Sequence, residues 1–172
     1  SSTSRGLGDV YKRQLLGSTA GLRGHKGTYY EGGIRVPFII QWPMAIPQAI
    51  TCEQAVTTLD LLPTLCAVAG AKTNQQMYVD GHDITPTFLP ENPTLAERTL
   101  LWMSDQAGAV RQGDWKLVYD EDDGEQLFNL GKDPAESQDR WQQELEIARQ
   151  LKAALGQLQA EVPPPITPRK SR

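Results

Sequence analysis

Cysteine and histidine are scarce in this 172-residue chain, which has two of each. Cys52 and Cys66 cannot build the disulfide framework of a small secreted domain, and their spacing matches no zinc motif. We expect Cys66 to be a small buried apolar residue. Two histidines, His25 and His82, are too few for a self-sufficient transition-metal site. The sequence therefore predicts no metal ligand in this chain.

Long apolar runs and an excess of basic residues are also missing. The purely apolar runs, such as 36–40, fall far below the roughly 20 residues that cross a bilayer, so we predict no membrane span. The 17 basic and 21 acidic residues give a net charge of -4, which does not favour nucleic acid. The 39% hydrophobic content supports a packed core. We predict a globular protein that binds a small molecule or another protein.

The first 14 residues, SSTSRGLGDVYKRQ, differ from the rest of the chain. They show no apolar periodicity, and the composition shifts at Leu15. The segment resembles the translation of a sequencing adapter joined to a truncated reading frame. We therefore treat residues 1–14 as artefactual and leave them out of the fold. The alternative is a genuine flexible N-terminal tail.

Two stretches in the first half predict regular structure. The run VPFIIQWP, residues 36–43, is apolar, rich in β-branched residues and bounded by prolines, so it predicts a buried strand. Asp60 as N-cap, Pro63 in the first turn and Gly70 past the end predict a short helix. One face of that helix is expected to pack inward through Leu61, Leu62, Leu65, Cys66 and Ala69.

The second half predicts a small antiparallel sheet and a helix. From Thr99 the chain has four short strand-like runs, and the acidic turn EDDG, residues 121–124, joins the last two as a hairpin. Apolar residues then recur at helical spacing, which predicts an amphipathic helix covering one face of the sheet. These residues are Trp141, Leu145, Ala148, Leu151, Leu155 and Leu158. We expect residues 161–172 to form a disordered, proline-rich tail.

A glycine-rich segment, residues 21–37, carries the residue types that suit chemistry. Its sequence GLRGHKGTYYEGGIRVP holds Arg23, Lys26 and Arg35 with Glu31 as the single acid. Glycines let backbone N–H groups approach an anion, and a lysine ammonium is a point charge for a sulfuryl or phosphoryl oxygen. Composition alone leaves two interpretations open, an oxyanion site or a structural turn.

The string L-R-G-x-K-G-T-x-x-E-G-G-x-R-V-P in this segment resembles the second signature region of the sulfatase family. The resemblance implies that Lys26 is catalytic and binds substrate, because the matching lysine contacts the sulfate group and the hydrated nucleophile. Arg23 is a second candidate for substrate binding, with a loop-holding role as the alternative. We interpret Glu31 and Arg35 as a structural ion pair, and His25 stands where the family is variable.

Further matches extend the resemblance over about residues 17–160. The segment VTTLDLLPTLCAVAG is similar to the D-x-x-P-T helix of sulfatases, YVDGHDITP to their D-G-x-x-x-x-P segment, and LFNLGKDPAESQD to their L-Y-D-L-x-x-D-P-x-E close. The resemblance implies that Asp60, Asp80 and Asp133 act as caps and turns rather than as metal ligands.

The resemblance implies an α/β fold like that of alkaline phosphatase, of which this chain is the C-terminal part. Residues 15–95 are expected to end the catalytic domain with the lysine loop, a strand and a helix. Residues 96–160 are expected to form the antiparallel sheet, packed by the C-terminal helix.

Arylsulfatase-like enzymes of this family depend on formylglycine, made from a C/S-x-P-x-R motif, and usually on calcium, held by oxygen ligands. The chain contains no such motif. We therefore expect a C-terminal fragment, inactive alone, whose missing N-terminal part carries the nucleophile and the calcium ligands. The implied substrate is a small-molecule or carbohydrate sulfate ester, and the family suggests a periplasmic, secreted or lysosomal location. Two alternatives remain open: a phosphonate or phosphate ester hydrolase of the same superfamily, and a non-catalytic binding module.

Overall fold

A computed structural model describes residues 18–47, 49–71, 79–88, 93–104, 106–121 and 123–162. The predicted artefactual segment and residues 163–172 of the predicted tail lie outside these ranges. The chain divides into two compact units, Ser1–Val36 with Glu97–Arg172, and Pro37–Ala96. No helix in the described ranges has both the length and the apolarity to cross a membrane. The predicted domain boundaries stay a prediction.

In the described ranges, three α-helices and one sheet make up the regular structure, together with 3₁₀-helices at Thr58–Asp60 and Thr85–Phe88. The α-helices are α1 (Glu31–Ile34), α2 (Leu61–Val68) and α3 (Leu145–Glu161). The strands are β1 (Thr99–Met103), β2 (Gly108–Gln112), β3 (Trp115–Asp120) and β4 (Gly124–Asn129).

The first unit contains the four-stranded sheet, in which every neighbouring pair is antiparallel and the strand order follows the chain. The hairpin of β3 and β4 pairs Asp120 with Gly124, as the EDDG turn predicts. Gly124 has a φ of 74°, a left-handed conformation that glycine adopts at no steric cost. The predicted antiparallel sheet and its acidic hairpin are confirmed.

Helix α3 covers one face of the sheet. Strand side chains alternate between the two faces, so every second residue meets the helix. The buried cluster on this face joins three helix residues to one residue from each of β2, β3 and β4: Ala148, Leu151, Leu155, Val110, Leu117 and Leu127. The predicted amphipathic helix and its packing on the sheet are confirmed.

The opposite face of the sheet is covered by the glycine-rich segment. Tyr30 is buried there against Ala109, Val118 and Phe128, whose side chains point to this face of the strands, and against Leu130, which follows β4. The Tyr30 and Phe128 rings meet edge to face, with centroids 6.2 Å apart and planes at 68°, a favourable aromatic geometry. The segment that carries Lys26 is therefore anchored in the core of this unit through Tyr30.

The second unit is organised around the buried side chains of Asp60 and Thr64. The Asp60 carboxylate accepts hydrogen bonds from the backbone N–H groups of Thr57 (2.7 Å) and His82 (2.9 Å). Asp60 occupies the N-cap position of α2 without a side-chain bond to that helix. Its carboxylate instead closes a capping box at the preceding 3₁₀-helix and fixes the segment after Gly81. Asp60 thus has a capping role, as predicted, but its side chain caps the preceding 3₁₀-helix and not α2.

Two predictions in the second unit are wrong. Residues 36–43 form no strand, and Ile39 is 91% exposed. The predicted inward face of α2 is also open, since Leu65 is 60% exposed and Cys66 only half-buried. A strand needs a neighbouring strand for its backbone hydrogen bonds, and the described residues of this unit contain none. Apolar periodicity identifies a face that can be buried but does not supply its partner.

Candidate functional site

Lys26 lies at the tip of a tight turn between two glycines in left-handed conformation, Gly24 (φ 82°) and Gly27 (φ 96°). Thr28 closes the turn, because its hydroxyl donates to the His25 carbonyl oxygen at 2.8 Å and accepts from the His25 N–H at 3.1 Å. The Lys26 side chain is exposed and forms no ion pair with any carboxylate that the structure describes. The turn therefore presents an ammonium group that has no carboxylate partner among the described residues.

The His25 imidazole folds back on the same turn. Its Nδ1 lies 2.9 Å from the Lys26 carbonyl oxygen. Because a carbonyl oxygen only accepts hydrogen bonds, Nδ1 must carry the proton in this contact. The ring thus supports the backbone at Lys26.

The two ends of the loop meet at a neck below this turn. The backbone N–H of Gly32 donates to the Arg23 carbonyl oxygen at 2.7 Å. A Cβ atom at Gly32 would stand 2.5 Å from that same oxygen, so only glycine allows this approach. Gly32 thus allows the two ends of the loop to approach each other, while the tip at Lys26 remains open for a ligand.

Three buried charged side chains hold the neck on the sheet. The Lys116 Nζ lies 2.8 Å from Oε1 of Glu31 and 2.8 Å from Oε1 of Glu136, and none of the three side chains is more than 6% exposed. Glu136 Oε1 meets Lys116 as an ion pair without the angles of a hydrogen bond, whereas Oε2 accepts the Glu31 N–H at 2.6 Å. A buried lysine needs such partners, because burying an unpaired charge costs far more free energy than burying a paired one. We call these three residues the buried charge cluster.

The buried charge cluster carries one positive and two negative groups. Burial raises the pKa of Glu136, and the neighbouring Lys116 ammonium and the Glu31 N–H act in the opposite direction. Burial is the largest cause, because a carboxylate loses its hydration inside the protein.

The predicted ion pair between Glu31 and Arg35 is wrong. The Glu31 carboxylate binds Lys116 instead, while Arg35 is exposed and contacts Glu31 only through its backbone N–H, 2.8 Å from the Glu31 carbonyl oxygen. The reason is energetic: Lys116 is wholly buried and needs a counter-charge, whereas the solvent hydrates Arg35.

Arg23 is engaged by protein groups. Its guanidinium donates to the Glu136 carbonyl oxygen at 3.1 Å and to the Tyr30 hydroxyl at 3.2 Å, and its Cζ stands 4.0 Å above the Tyr30 ring centroid. Asp123 lies 3.8 Å from one nitrogen. These contacts favour the loop-holding interpretation of Arg23, and its binding of substrate stays a prediction.

The Tyr30 hydroxyl is the second anchor of the loop. It lies 2.8 Å from Oε1 of Gln126 and 3.0 Å from Oδ2 of Asp123, and its single proton can serve one of them at a time. Burial and the hydrogen bond to Asp123 raise the pKa of Tyr30 to about 12, while the Arg23 guanidinium acts in the opposite direction. Tyr30 is therefore a neutral donor at physiological pH.

Lys116 and Glu136 were missed by sequence reasoning. The signal for Lys116 was its place beside Val118 on one face of a strand, since a lysine in an otherwise apolar face implies a buried counter-charge. Glu136 lies on a turn built by Asp133, whose carboxylate accepts from the Ser137 hydroxyl and the Gln138 N–H. This agrees with the turn role predicted for Asp133. The residues that the structure describes contain no group of carboxylate, histidine or cysteine side chains that could hold a metal ion.

Residues 24–161 match the family model of N-sulphoglucosamine sulphohydrolase, C-terminal. Among curated proteins, the chain is 35% identical over 134 residues to a sulfatase from Formosa agariphila, an alignment that covers 67% of this chain and 24% of that protein. It is 46% identical over 78 residues to human arylsulfatase A, covering 45% of this chain and 15% of that protein. The chain thus spans about a quarter or less of these relatives' length.

Solved structures show the same architecture. The crystal structure of Ps i-CgsB, also solved in complex with k-i-k-neocarrahexaose, superposes with a TM-score of 0.71 at 28% identity, covering 80% of this chain and 31% of that one. A Bacteroides thetaiotaomicron protein described with a locus for glycosaminoglycan metabolism gives a TM-score of 0.70 at 21% identity, covering 89% and 35%. The second likeness shows the fold alone.

Proposed function

Because this chain belongs to the sulfatase family and matches the C-terminal portion of its members, we propose that it contributes the sulfate-binding lysine loop to a sulfuric ester hydrolase of the arylsulfatase type. The family and the fold class predicted from the sequence are confirmed: an α/β sulfatase fold that ends in an antiparallel sheet packed by a helix. The activity of the whole protein, its substrate and the role of each residue are parts of the proposal.

The observation that carries the proposal is the turn at Lys26. An exposed ammonium, without a carboxylate partner in the part of the chain that the structure describes, stands between two left-handed glycines, on a loop whose neck is buried in the core. In the proposed role, Lys26 binds a sulfate oxygen of the ester and stabilises the negative charge that develops on it in the transition state. A fixed cation in such a site lowers the barrier by several kcal/mol, on the order of 3.

We propose that the nucleophile and the metal come from a part of the parent protein that this chain does not contain. The 172 residues hold no C/S-x-P-x-R motif from which formylglycine could be made. No cluster of side chains among the described residues suits calcium. The chain alone is therefore expected to bind a sulfate ester weakly and not to hydrolyse it.

A carbohydrate sulfate ester is the substrate class with the best support. Ps i-CgsB, with a TM-score of 0.71 at 28% identity, is solved with k-i-k-neocarrahexaose, a carbohydrate. The likeness to human arylsulfatase A keeps an aryl sulfate as a suitable test substrate.

The test uses the complete protein that the source gene encodes, produced with the formylglycine modification. We expect hydrolysis of an aryl sulfate, and of a sulfated oligosaccharide, at a kcat/KM well above that for the matching phosphate ester. The 172-residue chain alone serves as control and should release no sulfate. A preference for phosphate or phosphonate esters would instead identify a different hydrolase of the superfamily and overturn the proposal.

A further inference from the structure

The neck of the lysine loop converges on one residue of the C-terminal sheet region. Both ends of the loop bind Glu136: Arg23 donates to its carbonyl oxygen at 3.1 Å, and the Glu31 N–H donates to its carboxylate at 2.6 Å. The hydrogen bond from Gly32 to Arg23 ties the two ends to each other. The position of the turn that carries Lys26 thus depends on where Glu136 is held.

Lys116 is the group that holds Glu136 and Glu31 together. Its ammonium lies 2.8 Å from a carboxylate oxygen of each, on the sheet face opposite α3. Without that charge, two buried carboxylates would face each other with no cation between them, which is a strongly unfavourable arrangement. Glu136 also has a φ of 53°, a conformation that a residue with a side chain adopts at a cost and keeps only where its surroundings fix it.

We infer that Lys116 is a positioning residue for Lys26, because its ion pairs with Glu31 and Glu136 fix the neck of the lysine loop on the sheet. Lys116 itself touches no substrate. It acts by keeping the ammonium of Lys26 at a defined place, and a cation displaced by about 1 Å can lose about 100-fold in rate. This inference rests on the proposed function of Lys26.

The inference is tested by a double-mutant cycle in the complete protein. Lys116→Met removes the charge and keeps an unbranched apolar stem, and Lys26→Ala removes the sulfate contact. We expect Lys26→Ala to lower kcat/KM for an aryl sulfate by about 100-fold or more and Lys116→Met by about tenfold or more. The double variant should lie within about twofold of Lys26→Ala alone, because both changes act through the same ammonium. A purely structural role would make the two effects multiply.

A matched control separates positioning from general stability. Val110→Ala also removes buried core atoms, but on the face covered by α3. It should destabilise the fold with little change in kcat/KM at a temperature where the protein is folded, and amide hydrogen exchange at residues 24–32 should accelerate in Lys116→Met and not in Val110→Ala. If Lys116→Met does not fold, Glu31→Gln replaces it in the same cycle. This change keeps the shape of the side chain and removes its ion pair with Lys116.

The outcomes separate a failure of the proposed function of Lys26 from a failure of the positioning role of Lys116. If Lys26→Ala keeps full activity, the proposed function fails first. If Lys26→Ala is impaired while Lys116→Met, or Glu31→Gln in its place, is fully active, or multiplies with Lys26→Ala, the positioning inference is overturned and the proposed function stands. Unchanged hydrogen exchange at residues 24–32 in the impaired variant would also overturn the inference.

Discussion

The backbone N–H of Glu31 donates a 2.6 Å hydrogen bond to the carboxylate of Glu136, which lies 105 residues further along the chain. This bond joins the loop that carries Lys26 to the turn that follows the antiparallel sheet. Lys116, on β3, lies 2.8 Å from an oxygen of each of the two carboxylates and neutralises part of their charge. The loop that carries Lys26 is therefore built on the antiparallel sheet of the same unit.

Replacement of Arg23 tests the loop-holding interpretation. Arg23→Ala removes two hydrogen bonds and the stacking on Tyr30, so we expect the free energy of unfolding to fall by about 1–3 kcal/mol. Arg149→Ala, at an exposed site on α3, should change it by less than about 0.5 kcal/mol. Chemical denaturation of the three proteins gives the comparison. Equal stabilities would contradict the loop-holding role and favour substrate binding as the role of Arg23.

Two glycines should respond to alanine in opposite directions. A Cβ atom at Gly33 would collide with the carbonyl oxygens of Thr28 and His25, so Gly33→Ala should lower the free energy of unfolding by about 1–3 kcal/mol. Gly156 lies inside α3 with open space around it, and Gly156→Ala should raise it by about 0.5–1 kcal/mol. Thermal unfolding of both variants measures the difference, and a stabilised Gly33→Ala would show that the loop is not closed as described.

The sequence predicted the C-terminal sheet and helix well because their signals are local. The EDDG turn and the helical spacing from Leu145 to Leu158 are each complete within one short stretch of sequence, so the turn and the helix can be recognised without knowledge of distant partners. The strand predicted at 36–43 and the inward face of α2 failed because both need partners that local sequence does not provide. The buried charge cluster was missed for the same reason, since Lys116 stands 85 residues from Glu31. The Lys26 turn came from a family motif, whose geometry the structure then supplied.

The pKa of Tyr30 gives an alkaline test. Because the pKa rises from 10.0 to about 12 in the folded protein, the stability that the neutral hydroxyl contributes is complete below pH 10 and is lost as the pH rises towards 12. Tyr30→Phe should remove this part of the alkaline loss. The tyrosinate absorption that disappears in the variant should titrate near 12 in the wild type. Titration near 10 would show that the hydroxyl is not buried against Asp123.

Glu136 gives a test on the acid side. Its pKa is raised by burial above the ordinary 4.5, so its contribution to stability is complete below that value and is lost as the pH rises through the raised pKa. Relative to Glu136→Gln, which cannot titrate at this position, the wild type should lose stability over that window. Urea unfolding of both proteins across the window measures the difference. A wild type that gains on the variant as the pH rises would mean that Lys116 outweighs the burial.

The most direct measurement of the central claim is the kcat/KM of Lys26→Ala for an aryl sulfate, in the complete formylglycine-modified protein. Lys132→Ala is the matched control, since Lys132 is an exposed lysine of the same portion outside the loop. The account predicts a loss of about 100-fold or more in Lys26→Ala, as for removal of one group that stabilises transition-state charge, and an unchanged value in Lys132→Ala. Equal rates in Lys26→Ala and the wild type would contradict the account, because the loop would then hold no part of the sulfate site.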